Sequence, residues 1–99
     1  LVSEKSVVKI PADLSFVDAS LFGCAVMCGA GTALYSAGIR PGQTVAIFGL
    51  GGVGLSAVLG AVTAGAGRII AIDPSEAKLA LARSLGATDD AVVARLRPA

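Results

Sequence analysis

Ninety-nine residues suffice for one small domain with a core but leave no room for a two-domain enzyme. At 55% hydrophobic and 15% charged, the chain predicts surface meant to be covered by further chain, and it reads as an excised piece. Eight basic against seven acidic residues, spread without runs, argue against nucleic acid or an anionic membrane as partner, and glycines interrupt the apolar stretches so that none reads as a membrane span or signal peptide. The first predicted element is a short strand, Ser6 to Ile10, closed by Pro11, which cannot donate to a ladder. Ser15 and Asp18 have the spacing of a helix cap, and Phe16, Val17, Ala19, Leu21 and Phe22 then give a helix apolar on more than one side. Gly23, Gly29 and Gly31 each cost about 1 kcal/mol against alanine in a helix, which predicts a break or kink near Cys24 to Gly31. A second helical stretch, Thr32 to Ala37, ends at Gly38.

Arg40-Pro41-Gly42-Gln43 has the chemistry of a type II turn and delivers the chain into the strand Thr44 to Phe48. A helix from about Gly52 to Ala64 has almost no polar face, so it must be covered on more than one side, and Gly65 or Gly67 ends it. The next strand, Arg68 to Ile72, is the unbroken apolar run of a parallel strand buried on both faces. Pro74 opens the first turn of a second helix, whose buried stripe is Ala77, Leu81 and Leu85 and which Gly86 stops. Ala91-Val92-Val93 is a candidate third strand, and Ala94 to Ala99 carries no reading. The alternation implies right-handed crossovers and a parallel sheet ordered 3-2-1. The fold class is therefore α/β: a partial Rossmann fold, the first βαβαβ half of a doubly wound parallel sheet, preceded by a strand and a crossing helix.

Between the strand Thr44 to Phe48 and its helix lies Gly49-Leu50-Gly51-Gly52-Val53-Gly54, a G-x-G-x-x-G turn. Gly49 permits the sharp turn, Gly51 lets the backbone approach a pyrophosphate, and Gly54 lets helix and strand pack closely. The free N–H groups that follow face the anion. Asp73, nineteen residues after Gly54 at the end of the next apolar run, stands where a ribose-binding carboxylate belongs, although it also fits an N-cap with Glu76 three residues on. Cys24 and Cys28, four apart in an apolar segment, suggest a reducing cytoplasm rather than a disulfide framework. A small buried apolar residue is the plain reading of Cys24. With no histidine, the chain supplies no imidazole ligand or proton relay.

Phe22-Gly23-Cys24-Ala25-Val26, Gly29-x-Gly31, Arg40-Pro41-Gly42, Phe48 to Ser56 and Leu85-Gly86-Ala87-Thr88 together resemble the middle of the zinc-dependent medium-chain alcohol dehydrogenases. The resemblance covers nearly the whole chain. It implies that residues 1–31 are the end of a catalytic domain with its crossing helix, and that 32–99 are the first half of the NAD-binding domain. It implies NAD and a catalytic zinc as cofactors, hydride transfer between an alcohol or aldehyde and NAD, and a homo-oligomeric parent. Cys24 aligns with the family's last catalytic-zinc ligand, the others lying outside this chain, which alone would be inactive. Gly49, Leu50, Gly51, Gly52, Val53 and Gly54, with Asp73 and Lys78 at the adenosine ribose and Cys28 near the nicotinamide, are the implied cofactor contacts; a solvated helix lysine is the plain alternative for Lys78. Relatives often carry threonine where Cys28 stands and proline where Met27 stands. The rival function is a zinc-free quinone-reductase-like relative or a non-catalytic dinucleotide-binding module.

Overall fold

The computed structural model describes residues 1–92. Strands β1 (Thr44–Phe48), β2 (Arg68–Ile72) and β3 (Asp89–Ala91) form one parallel sheet in the order β1-β2-β3, with Val45 opposite Ile69 and Ile70 opposite Asp89. Helix α1 (Phe16–Ser36) precedes the sheet, α2 (Gly52–Thr63) joins β1 to β2, and α3 (Glu76–Ser84) joins β2 to β3. The core gathers Leu50, Val58, Ala61, Ile69, Ala71, Leu79 and Ala82, with Val45 and Ile47 partly buried against it. Both crossover helices thus cover the sheet face that carries Val45, Ile47, Ile69 and Ala71, as right-handed connections in a 3-2-1 sheet require.

The turns follow their chemistry. Gly42 takes φ 83° and Gln43 N–H donates to the Arg40 carbonyl at 3.2 Å, closing the expected type II turn. Gly65 at φ 76° ends α2, and Gly86 at φ 116° follows α3.

Five local expectations are corrected. Residues 7–10 are exposed and lie in no strand; a single Glu4–Ser6 turn of 3-10 helix precedes Val7, which is extended, and nothing among the described residues pairs with this segment. Of the break or kink expected near Cys24 to Gly31, no break occurs: α1 runs on through two widened π turns, Phe22–Val26 and Thr32–Ser36, with helical backbone at their junctions. Its glycine serves packing: a Cβ on Gly29 would overlap the Val53 carbonyl of α2, and one on Gly60 would come within 2.8 Å of Ala30 Cα. Because it is unbroken, α1 is long and apolar enough to cross a membrane by length and hydropathy alone, contrary to the expectation that glycines would interrupt it. Here it packs on α2 through Gly29 and Gly60, while Ala33 is buried.

Pro74 lies ahead of α3, whose cap is Ser75, and the buried stripe is Leu79 and Ala82 with Leu85 partly buried; Ala77 and Leu81 face outward. Strand β3 sits two residues earlier than expected, at Asp89–Ala91, and Val93 lies outside the described residues. It is held there by Thr88, whose N–H donates to the Ile69 carbonyl at 2.9 Å and whose Oγ1 accepts the Ile69 N–H at 2.8 Å. Arg68 on β2 adds a forked pair to Asp89 at 2.9 and 3.0 Å.

Strand β1 is the sheet edge, and Phe48 is 76% exposed on the face away from α2. Unpaired edge groups beside apolar side chains are a template for pairing with another chain. The 99 residues alone should therefore self-associate, with sedimentation coefficients that rise with concentration. A sharp monomer with one cooperative thermal transition would contradict this.

Candidate functional site

The ends of β1 and β2 lie side by side, and their turns make the site. Gly49, at φ 85°, leaves the β1 line and donates its N–H to the Ile72 carbonyl at 2.8 Å, which pins the start of the turn to the last residue of β2. Leu50 is fully buried, and its N–H donates to Asp73 Oδ2 at 2.8 Å. Gly51 caps α2 without any side-chain bond, and the first backbone bond of that helix runs from Leu55 N–H to the Gly51 carbonyl. The N–H groups of Gly52, Val53 and Gly54 therefore lack intrahelical acceptors and lie at the positive end of the helix dipole.

The three motif glycines have different reasons to be glycine. Gly49 needs positive φ, Gly54 packs so closely that a Cβ would overlap the Gly49 carbonyl, and a Cβ on Gly51 would meet nothing within 4 Å. Gly51 is bare toward open space. That space is a groove of about 480 Å³ lined by Phe48, Gly49, Gly51, Gly52, Val53 and Gly54, with Gly29 and Thr32 of α1 on its other side. A groove floored by backbone N–H groups, with room where a Cβ would stand, fits an approaching pyrophosphate.

Asp73, just after β2, is tied to the same turn through Leu50. It is only 4% exposed, and besides the Leu50 bond its Oδ1 accepts the Ser75 N–H at 2.8 Å. The Leu50 N–H and then the Ser75 N–H hold its pKa below the ordinary carboxylate value, Lys78 adding a smaller pull and burial opposing them. Lys78 Nζ stands 3.8 Å away with half its side chain in solvent. The N-cap reading of Asp73 is replaced, because Ser75 is the cap and Asp73 bonds two residues ahead of it.

Cys24 lies in the first π turn of α1 and Cys28 one turn on; both are free, exposed thiols. The described residues thus do not bury Cys24. Neither thiol lines the groove, although Gly29, next to Cys28, does. Among the described residues no three His, Cys, Asp or Glu side chains gather into a metal site, so Cys24 can be one donor of a set and no more. A smaller hollow of about 350 Å³ between Ile10 and Phe16 has no charged side chain, and its Ser15 is engaged in capping α1.

Sequence reasoning found the turn and Asp73 but missed Thr32, Gly29 and Phe48 as groove walls. The Gly29-x-Gly31 spacing is the available signal for α1, and by propensity alone it predicts a break or kink.

A family described as zinc-binding dehydrogenase matches residues 52–95. An alcohol dehydrogenase class-2 isozyme 2 from Oryctolagus cuniculus is 49% identical over 90% of this chain and 24% of its own length. An S-(hydroxymethyl)glutathione dehydrogenase from Synechocystis sp. is 48% identical over the same shares, 90% and 24%. Among solved structures, an alcohol dehydrogenase zinc-binding domain protein from Burkholderia ambifaria superposes with a TM-score of 0.83 at 41% identity, over 86% of this chain and 23% of that one. A benzyl alcohol dehydrogenase from Acinetobacter calcoaceticus gives 0.80 at 38%, over 84% and 23%. The chain thus spans about a quarter of the length of these relatives. With sequence and fold in agreement along most of its length, the chain belongs to the zinc-dependent alcohol dehydrogenases, a family whose cofactors are NAD and zinc.

Proposed function

We propose that this chain forms the first half of the NAD site, residues 32–99, and the crossing helix with one zinc ligand, residues 1–31, of an enzyme moving hydride between an alcohol or aldehyde and NAD. The observation that carries the reading is the bare Gly51 facing an open groove with the buried Asp73 carboxylate tied to the same turn. Within it, the Gly52, Val53 and Gly54 N–H groups hold the pyrophosphate, with Gly49 and Leu50 fixing the turn that presents them. Asp73 accepts the adenosine ribose hydroxyls, Lys78 adds positive charge beside them, and Cys28 belongs to the nicotinamide side. Cys24 gives its thiolate to zinc, completed by ligands from outside these residues. Zinc held there would supply the Lewis acid that acidifies the alcohol, and NAD would supply the hydride acceptor. A cytoplasmic homo-oligomer is the proposed setting, and these 99 residues alone should be inactive for want of the other ligands.

NAD should be preferred over NADP. Asp73 would meet the 2′-phosphate of NADP as a second negative charge, and Pro74 and Ser75 offer no cation where an arginine would neutralise it. Calorimetry on the full-length protein should show at least about a tenfold preference for NAD, equivalent to about 1.4 kcal/mol. Equal affinities would overturn the assignment of Asp73 to the ribose.

A further inference from the structure

Each oxygen of the buried Asp73 carboxylate already has a partner within the protein. Oδ2 accepts the N–H of Leu50, on the turn after β1, and Oδ1 accepts the N–H of Ser75, on the turn after β2, both at 2.8 Å. One side chain therefore joins the turn after β1, which lines the groove, to the turn after β2. Leu50 is 1% exposed, so without Asp73 its N–H would have no water to turn to, and an unsatisfied buried donor is costly.

We propose that Asp73 is a positioning residue that sets the glycine turn in its binding shape before any nucleotide arrives. The inference goes beyond the ribose contact proposed above, and it depends on that reading only for what the set turn then binds. Lone-pair arithmetic lets one carboxylate do both. An ionised carboxylate has about four acceptor positions, and the two backbone bonds leave about one on each oxygen for a ribose hydroxyl. Asparagine cannot substitute, because its amide has one acceptor oxygen and one donor nitrogen. Whichever way it is turned, an NH2 group faces either the Leu50 or the Ser75 N–H, donor against donor.

The test is hydrogen exchange resolved to single amides in the nucleotide-free full-length protein, comparing wild type with Asp73→Asn and Asp73→Ala. Asp73→Ala should speed exchange at both Leu50 and Ser75 by at least about tenfold, as loss of a charge-assisted bond predicts. Asp73→Asn should do so at one of the two. The Ile70 and Ala71 amides of the central strand should stay within about twofold of wild type, because the change is local. Wild-type exchange at Leu50 in both variants would overturn the proposal. So would faster exchange at Leu50 that merely keeps step with Ile70 and Ala71, the mark of a general loss of stability. Should Asp73→Ala fail to fold, Asp73→Asn decides alone, and wild-type exchange at both Leu50 and Ser75 in that variant would overturn the proposal. NAD titration of the same samples separates the two ideas: the positioning role predicts faster local exchange together with weakened NAD binding, and faster local exchange with unchanged NAD affinity would overturn it along with the ribose contact. Unchanged exchange with weakened NAD binding would overturn the positioning role and leave the ribose contact standing.

Discussion

Replacing Gly51 by alanine should leave stability untouched and cost at least about tenfold in NAD affinity, or about 1.4 kcal/mol. The added Cβ meets no protein atom within 4 Å, and Gly51 sits at φ −81°, where alanine is unstrained, so the folded chain has nothing to resist. What the methyl group does occupy is the opening through which a pyrophosphate would reach the helix N-terminus. Gly54→Ala makes the contrasting case. Its Cβ would overlap the Gly49 carbonyl, and the backbone on both sides must shift. Overpacking of this kind costs about 1–3 kcal/mol, so thermal stability and NAD binding should fall together. Melting curves and calorimetry on both variants of the full-length protein check the pair. Loss of stability in Gly51→Ala with no loss of NAD affinity would show the groove to be packing space and not a binding site.

In the full-length protein, Cys24→Ala should reduce alcohol oxidation to near background. Mutating an outer-shell partner of a metal typically costs about 10–100-fold, and removing a ligand outright should exceed the upper figure. NAD binding should survive, because the glycine turn follows β1 and Asp73 follows β2, while Cys24 stands on α1. Cys28→Ala should change turnover far less. The 99 residues alone should bind zinc weakly at best, as Cys24 has no further ligand set among the described residues. Metal analysis and turnover in wild type and both variants read this out. A Cys24→Ala protein that keeps its zinc and its activity would refute the ligand assignment.

How much of this was legible from residues alone depends on whether local chemistry or tertiary contact decides the element. Strands β1 and β2 were read to the residue, since each is a β-branched apolar run bounded by glycine or Pro-Gly signals that nothing elsewhere overrides. Helix α1 was not, because propensity charges Gly29 its local cost while the benefit, close approach to the Val53 carbonyl, comes from twenty-four positions away in sequence, which no local window spans. Helix α3 offers two apolar sets, one through Leu79 and Ala82 and one through Ala77 and Leu81, and only its seat on the sheet chooses between them. Strand β3 begins on two aspartates, poor strand formers, and its place depends on Thr88 and on Arg68 reaching Asp89. At the site, the glycine spacing announced the turn and the position after β2 announced Asp73. That the carboxylate accepts two backbone N–H groups could not be read, since the bond to Leu50 depends on the parallel register of β1 and β2.

The central claim is that the turn from Gly49 to Gly54 and the carboxylate of Asp73 hold NAD. A crystal structure of the full-length protein grown with NAD tests it most directly. The account predicts pyrophosphate oxygens within hydrogen-bond distance, about 2.7–3.2 Å, of the Gly52 and Val53 backbone nitrogens, and ribose hydroxyls on Asp73. NAD seated away from this groove, or a pyrophosphate there with the ribose turned away from Asp73, would contradict it.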